Sequence, residues 1–186
     1  VTVINNIEKE KKDLSSYYNE RLEKVGVKQD DLVLCVEKEG TTGSFFINMP
    51  IIEPNEKGGI DFFHVDPDGA LYEFRPKGDK TKHHQKWEAY KHTRNHPDQL
   101  KENPDLPKSL ATSGQPSLPW LTPITVQKSK QRSKINALWV GEGAFKVLSL
   151  QPFGICGIGT QGYNNFRFKD EEVKILHPFI SRVVEN

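Results

Sequence analysis

The chain is short of cysteine: only Cys35 and Cys156 occur among 186 residues. They lie far apart and neither belongs to a C-x-x-C pair, which excludes a disulfide framework and a cysteine-built zinc site and suits a reducing, cytoplasmic compartment. Long apolar runs are missing as well. No stretch approaches the roughly 20 residues that a membrane-spanning helix needs, and no signal peptide opens the chain. Charge of one sign is also lacking. Lys and Arg total 26 against 25 Asp and Glu, a formal net charge of +1, so any electrostatic argument rests on where charges sit. The first residue is Val rather than Met, as in a processed or trimmed chain.

The chain is expected to be α+β: an N-terminal helix and β-rich lobe over 1–134, then a partial parallel α/β unit over 135–186. Residues 4–25 carry Ile7, Leu14, Tyr18, Leu22 and Val25 at helical spacing, and Gly26 suits the helix end. Short apolar runs at 32–36, 44–52, 60–65 and 70–75 read as strands. Asp66-Pro67-Asp68-Gly69 has turn chemistry, so the last two runs read as a hairpin. A short helix is expected near 85–91, where Trp87 and Tyr90 can share a face. Residues 95–120, rich in proline, read as an irregular segment draped over a surface.

From Asn136 the pattern changes to strand 137–140, helix 144–150, strand 154–158 and helix 170–184, with Pro178 as a possible kink. Alternation of this kind builds a parallel sheet. In such sheets ligands bind beyond the carboxyl ends of the strands. Glu142 follows the first strand there, and Gly141 and Gly143 let the backbone turn sharply and a ligand approach. Gly159 and Thr160 hold the equivalent place after the second strand, so adjacent strands would turn both loops to one cleft. A carboxylate there can bind Mg²⁺ or exchange a proton with a hydroxyl. Spacing alone equally describes an exposed turn residue or a helix N-terminal charge.

Val140-Gly141-Glu142-Gly143-Ala144-Phe145-Lys146-Val147-Leu148 resembles the opening motif of Toprim domains, in which a strand delivers Glu-Gly ahead of a helix of small and apolar residues. Phe153-Gly154-Ile155-Cys156-Gly157-Ile158-Gly159-Thr160 resembles their second strand. Gly162-Tyr163-Asn164-Asn165-Phe166 is similar to the Gly-rich turn and Asn-Phe of phage and mobile-element primase-type replication proteins. The clear part of the likeness covers about the last quarter of the chain.

The resemblance implies that Glu142 is a general acid/base, or positions Mg²⁺, in nucleotidyl or phosphodiester transfer. A later strand of the family supplies an Asp-x-Asp pair, and nothing after Phe166 matches it. The expectation is therefore a fragment of a primase-like, DNA-replication protein carrying the glutamate half of a site that binds Mg²⁺ weakly by itself. The implied partners are single-stranded DNA and a replicative helicase or other replication protein, with no membrane. Lys146 replaces the commoner acidic residue, and either meets a phosphate or is a solvated lysine.

Two basic stretches extend the reading. Arg75, Lys77, Lys82, Lys86 and Arg94, interleaved with Trp87, suit single-stranded nucleic acid, where cations follow phosphates and rings stack on bases. Lys128, Lys130, Arg132 and Lys134 form a second run at the amino end of the first parallel strand. Each run alone also reads as a solvated loop. A non-catalytic nucleic-acid-binding module of a mobile-element protein, and a purely structural assembly domain, are the alternatives. His92 and His96 have the spacing of a helical metal pair, but no Glu follows His92 and Pro97 ends any helix, so surface histidines are expected.

Overall fold

The computed structural model describes residues 15–40, 42–74, 88–111, 117–162, 167–169 and 174–185. The fold is α+β, with antiparallel sheets and one mixed sheet. Helix α1 (Ser16–Val25) buries Tyr17, Tyr18 and Leu22 and ends at Gly26, whose φ is +67°. The left-handed geometry suits glycine and closes the helix. The expected start of this helix, at residue 4, lies outside the described residues. The Tyr18 hydroxyl donates to the Ile52 carbonyl at 3.2 Å, and Arg94 Nε donates to the Tyr17 hydroxyl at 2.8 Å. These bonds pin α1 to the sheets below it.

Strands β1 (Val33–Lys38) and β2 (Phe45–Pro50) form an antiparallel hairpin. A four-stranded antiparallel sheet follows, in the order β3 (Ile52–Pro54), β4 (Ile60–Phe63), β7 (Lys91–Arg94) and β8 (Ser109–Ala111). The expected hairpin over 60–75 is therefore only partly formed. Its turn exists, with Asp66 Oδ1 accepting from the backbone N–H groups of Asp68 and Ala70 at 2.9 and 2.8 Å. However, β4 pairs with β3 and β7, and β5 (Glu73–Phe74) pairs with β6 (Glu88–Ala89).

The helix expected over 85–91 is corrected to extended chain, with 85–87 outside the described residues. Tyr90 N–H donates to the Tyr72 carbonyl, and the Tyr90 carbonyl accepts from His64 N–H. These cross-strand bonds, with the Tyr90 ring fully buried, override the helical spacing. The segment over 95–120 is likewise more regular than expected. It holds α2 (Pro97–Glu102), β8 and β9 (Trp120–Leu121).

The mixed sheet runs β10 (Leu138–Glu142), β11 (Cys156–Thr160), β9. β10 and β11 are parallel neighbours, with Glu142 opposite Thr160, and β9 is antiparallel to β11. Helix α3 (Pro123–Lys130) precedes β10, and α4 (Ala144–Leu148) links the parallel pair. Every residue of β11 is buried. Its glycines explain how: a Cβ at Gly157 would lie 2.8 Å from Val147 Cβ, and one at Gly159 would lie 3.1 Å from Ala144 Cα. Helix α4 can press onto β11 only because both side chains are absent.

Where β9 stops pairing, side chains take over. Thr125 Oγ1 accepts from Gly157 N–H at 2.8 Å and lies 2.8 Å from Thr122 Oγ1, all in a fully buried place. Thr125→Val keeps the shape but strands these polar groups, so a stability loss of about 1–3 kcal/mol is expected. An unchanged urea midpoint would contradict this account.

Of the long helix expected over 170–184, residues 170–173 lie outside the described residues and the remainder is corrected. Residues Lys174–Leu176 form β13, paired antiparallel with β12 (Arg167–Lys169), and α5 is confined to Pro178–Val184. Pro178 starts this helix rather than kinking it. His177 caps it, its ring Nδ1 accepting from Phe179 N–H at 3.2 Å. The same arrangement opens α2, where His96 Nδ1 accepts from Asp98 N–H at 3.2 Å ahead of Pro97. Proline fits the first helical position because it lacks the N–H that would otherwise go unbonded there.

Buried side chains from Tyr17 to Val183 belong to one hydrophobic core. Strand β9 and helix α3, which precede the expected boundary at 134, pack within the α/β unit. Among the described residues no helix is long and apolar enough to cross a membrane.

Candidate functional site: the Glu142 cleft

Glu142 ends β10 and Gly143 starts the turn into α4, at φ +88° and ψ 135°. This is backbone that only glycine adopts without strain. Gly143 N–H donates to the Thr160 carbonyl at 2.9 Å, which locks the glutamate turn to the end of β11. Glu142, Gly143, Gly159 and Thr160 thus line one cleft of about 640 Å³, as the parallel pairing requires. Gly141 sits one step back, where its carbonyl accepts from the Thr160 hydroxyl at 3.4 Å. Glu142 is exposed, and no described group bonds its carboxylate.

The opposite wall comes from the N-terminal part of the chain. Arg21 on α1, Arg94 on β7 and Lys108 just before β8 line the same cleft, and Lys146 on α4 joins them. Among the described residues, four cations and a single carboxylate therefore line the cleft. None of the four forms an ion pair with a described residue. The Arg21 guanidinium lies over the Phe145 ring, 4.6 Å from its centroid, and its Nε is buried without a partner. Stacking holds the group in place without consuming its charge. Unpaired cations gathered around a concavity attract a polyanion.

The floor holds a pair of buried histidines. His92 stacks on Phe62 with centroids 4.6 Å apart, and both line the cleft. His92 Nδ1 lies 2.8 Å from His64 Nε2, and His64 Nδ1 lies 3.1 Å from the Pro119 carbonyl. Burial pushes the His64 pKa down to about 3 and holds that of His92 well below the ordinary histidine value. The surface location expected for His92 is thus corrected: it faces inward from the central strand of the sheet. His96 serves as the α2 cap.

Of the basic residues singled out in the sequence, Arg94 and Lys146 reach the cleft. Arg75, Lys77, Lys82, Lys86 and Trp87 lie outside the described residues. Lys128, Lys130, Arg132 and Lys134 do not line the cleft. Lys128 Nζ donates to the Gly154 carbonyl at 3.5 Å, and Lys130 Nζ donates to the Cys35 carbonyl at 3.4 Å and lies over the Phe46 ring. This run precedes β10, at the strand end remote from Glu142. Sequence reading missed Arg21, Lys108 and His92. Nothing local marks the two cations, and only the folded sheet shows that His92 points inward.

Among the described residues the cleft is lined by one carboxylate, Glu142, and no cluster of three or more His, Cys, Asp or Glu could hold a metal ion. Mg²⁺ sites commonly use one or two carboxylates completed by waters and substrate phosphates, and Glu142 is the carboxylate that the described lining of the cleft offers. Comparisons with family models, with curated proteins and with solved structures found no match.

Proposed function

We propose that the cleft is a phosphate-handling site of a primase-like, DNA-replication-associated protein, with Glu142 as its acid/base. The carrying observation is a carboxylate at the carboxyl end of a parallel strand pair, in a cleft also lined by four cations, none of them ion-paired or bonded to it among the described residues. The Toprim-like motif from Val140 to Leu148 supports the same reading. In this proposal Glu142 takes the proton of a hydroxyl as its oxygen attacks phosphorus, while the leaving oxygen departs on the other side. The cations offset the phosphate charge. The ligand class is single-stranded DNA or a nucleotide, with a helicase or another replication protein as partner and the cytoplasm as location.

A non-catalytic nucleic-acid-binding module is the second reading, favoured by the single carboxylate among so many cations. Both readings predict binding of a short single-stranded oligonucleotide that weakens with salt. If the four cleft cations each meet a phosphate, log K against log salt has a slope of about −3. Glu142→Gln separates them. Loss of nucleotidyl transfer by the full native protein, with oligonucleotide affinity kept, supports the enzyme. Unchanged affinity with no transfer activity in either form supports the module, and salt-independent or absent binding rejects both.

A further inference from the structure

The described bonds of His64 and His92 leave only one proton arrangement. The Pro119 carbonyl carries no hydrogen, so His64 Nδ1 donates to it across 3.1 Å. The His64 ring has no solvent exposure and is neutral, because an unpaired buried cation is too costly. Its Nε2 therefore bears a lone pair. Across 2.8 Å His92 Nδ1 must donate to that lone pair, and a neutral His92 then carries a lone pair on Nε2. No described group bonds Nε2. His64 lies on the inner side and His92 lines the cleft, so Nε2 is the ring nitrogen that a ligand meets. Stacking on Phe62 at an interplanar angle of 7° fixes the ring plane.

We propose that His92 is the built-in hydrogen-bond acceptor of the Glu142 cleft, and that it recognises a sugar hydroxyl of a ligand whose phosphates lie on Arg21, Arg94 and Lys108. A neutral acceptor calls for a donor. Ammonium groups are repelled by the surrounding cations; of a nucleotide's neutral donors, the sugar hydroxyls lie nearer its phosphates than the amino group of the base does. Arg94 lies two residues further along the same strand face, about 7 Å away, roughly the span from a nucleotide's phosphate to its own sugar. The assignment rests on the phosphate reading of the cleft and adds a specificity residue to it.

The test measures binding of ATP, 2′,3′-dideoxy-ATP and inorganic tripolyphosphate to the wild-type chain and to His92→Phe, which keeps an aromatic ring against Phe62. The wild type is expected to prefer ATP over the dideoxy form by about tenfold, the worth of one hydrogen bond. His92→Phe should erase that preference and leave tripolyphosphate binding unchanged. A wild type that binds tripolyphosphate but treats ATP and its dideoxy form alike overturns the His92 assignment alone. Failure to bind tripolyphosphate overturns the phosphate reading and the assignment with it. Should His92→Phe not fold, ¹⁵N spectra of imidazole-labelled wild type decide. Protonated Nδ1 with bare Nε2 is expected at His92, and the reverse tautomer overturns the proposal.

Discussion

Trp120→Ala is expected to cost about 3–5 kcal/mol, the range for truncating a fully buried large side chain. Trp120 is 1 % exposed and stands opposite Gly159 on β11. Its ring meets the Phe62 ring edge-on at 5.7 Å, and its Nε1–H donates to the Phe63 carbonyl at 3.1 Å. One side chain thus joins the mixed sheet to the end of β4. Alanine would leave a cavity between the two sheets and an unbonded carbonyl in the core. Domains of this size are stable by only about 5–15 kcal/mol, so a large fraction of the protein would unfold at modest urea concentration. Trp120→Phe retains most of the volume and loses the donor, for an expected cost of about 1–2 kcal/mol. Urea titration followed by circular dichroism measures both. Near-equal midpoints for wild type and Trp120→Ala would rule out this bridging role.

Acid should destabilise the fold early, through the histidine pair. Both rings are held neutral by burial, His64 with a pKa of about 3 and His92 well below its ordinary value. An unfolded histidine takes up its proton near pH 6.5. Above that pH the two states bind the same number of protons and stability is full. Below it the unfolded chain binds protons that the folded chain refuses, so stability falls as pH drops from 6.5 toward 3. Each ring contributes a loss of about 1.4 kcal/mol per pH unit. Glu53 and Asp66, whose pKa values are raised by burial, act in the opposite sense in the acid part of the range and soften the slope there. Urea midpoints at pH 7.5, 6, 5 and 4.5 record the effect. The double variant His64→Leu with His92→Phe should flatten the profile; a wild-type profile already flat over that interval would contradict neutral burial of the pair.

The Glu142 turn was legible because everything that specifies it is local. Two apolar runs, a Gly-Glu-Gly turn and a short helix fix the strand–turn–helix, and Gly159 and Thr160 mark the neighbouring strand end. The β-rich character of residues 33–63 was legible for the same reason, since glycines and prolines punctuate the runs. Partner choice was not. The turn at Asp66 does pair its immediate flanks, Val65 with Leu71, but further out β4 takes β3 and β7, which bring Phe62 opposite His92. Val173, Leu176 and Ile180 imitate a helical stripe, although Pro178 after His177 marks the true start of α5. Arg21 and Lys108 carried no signal, because a surface cation and a cleft cation look alike until distant segments meet.

That meeting has a kinetic side. Arg21 and Glu142 stand 121 positions apart in the sequence, and β7 and β8 stand between them in the chain. A cleft built from such remote pieces forms only after slow, non-local pairing, because loop-closure entropy must be overcome before distant contacts reward it. The finished cleft is then expected to be among the last features to emerge during refolding, later than the spectroscopic return of secondary structure. The delay between the two signals clocks the joining of the two halves of the protein.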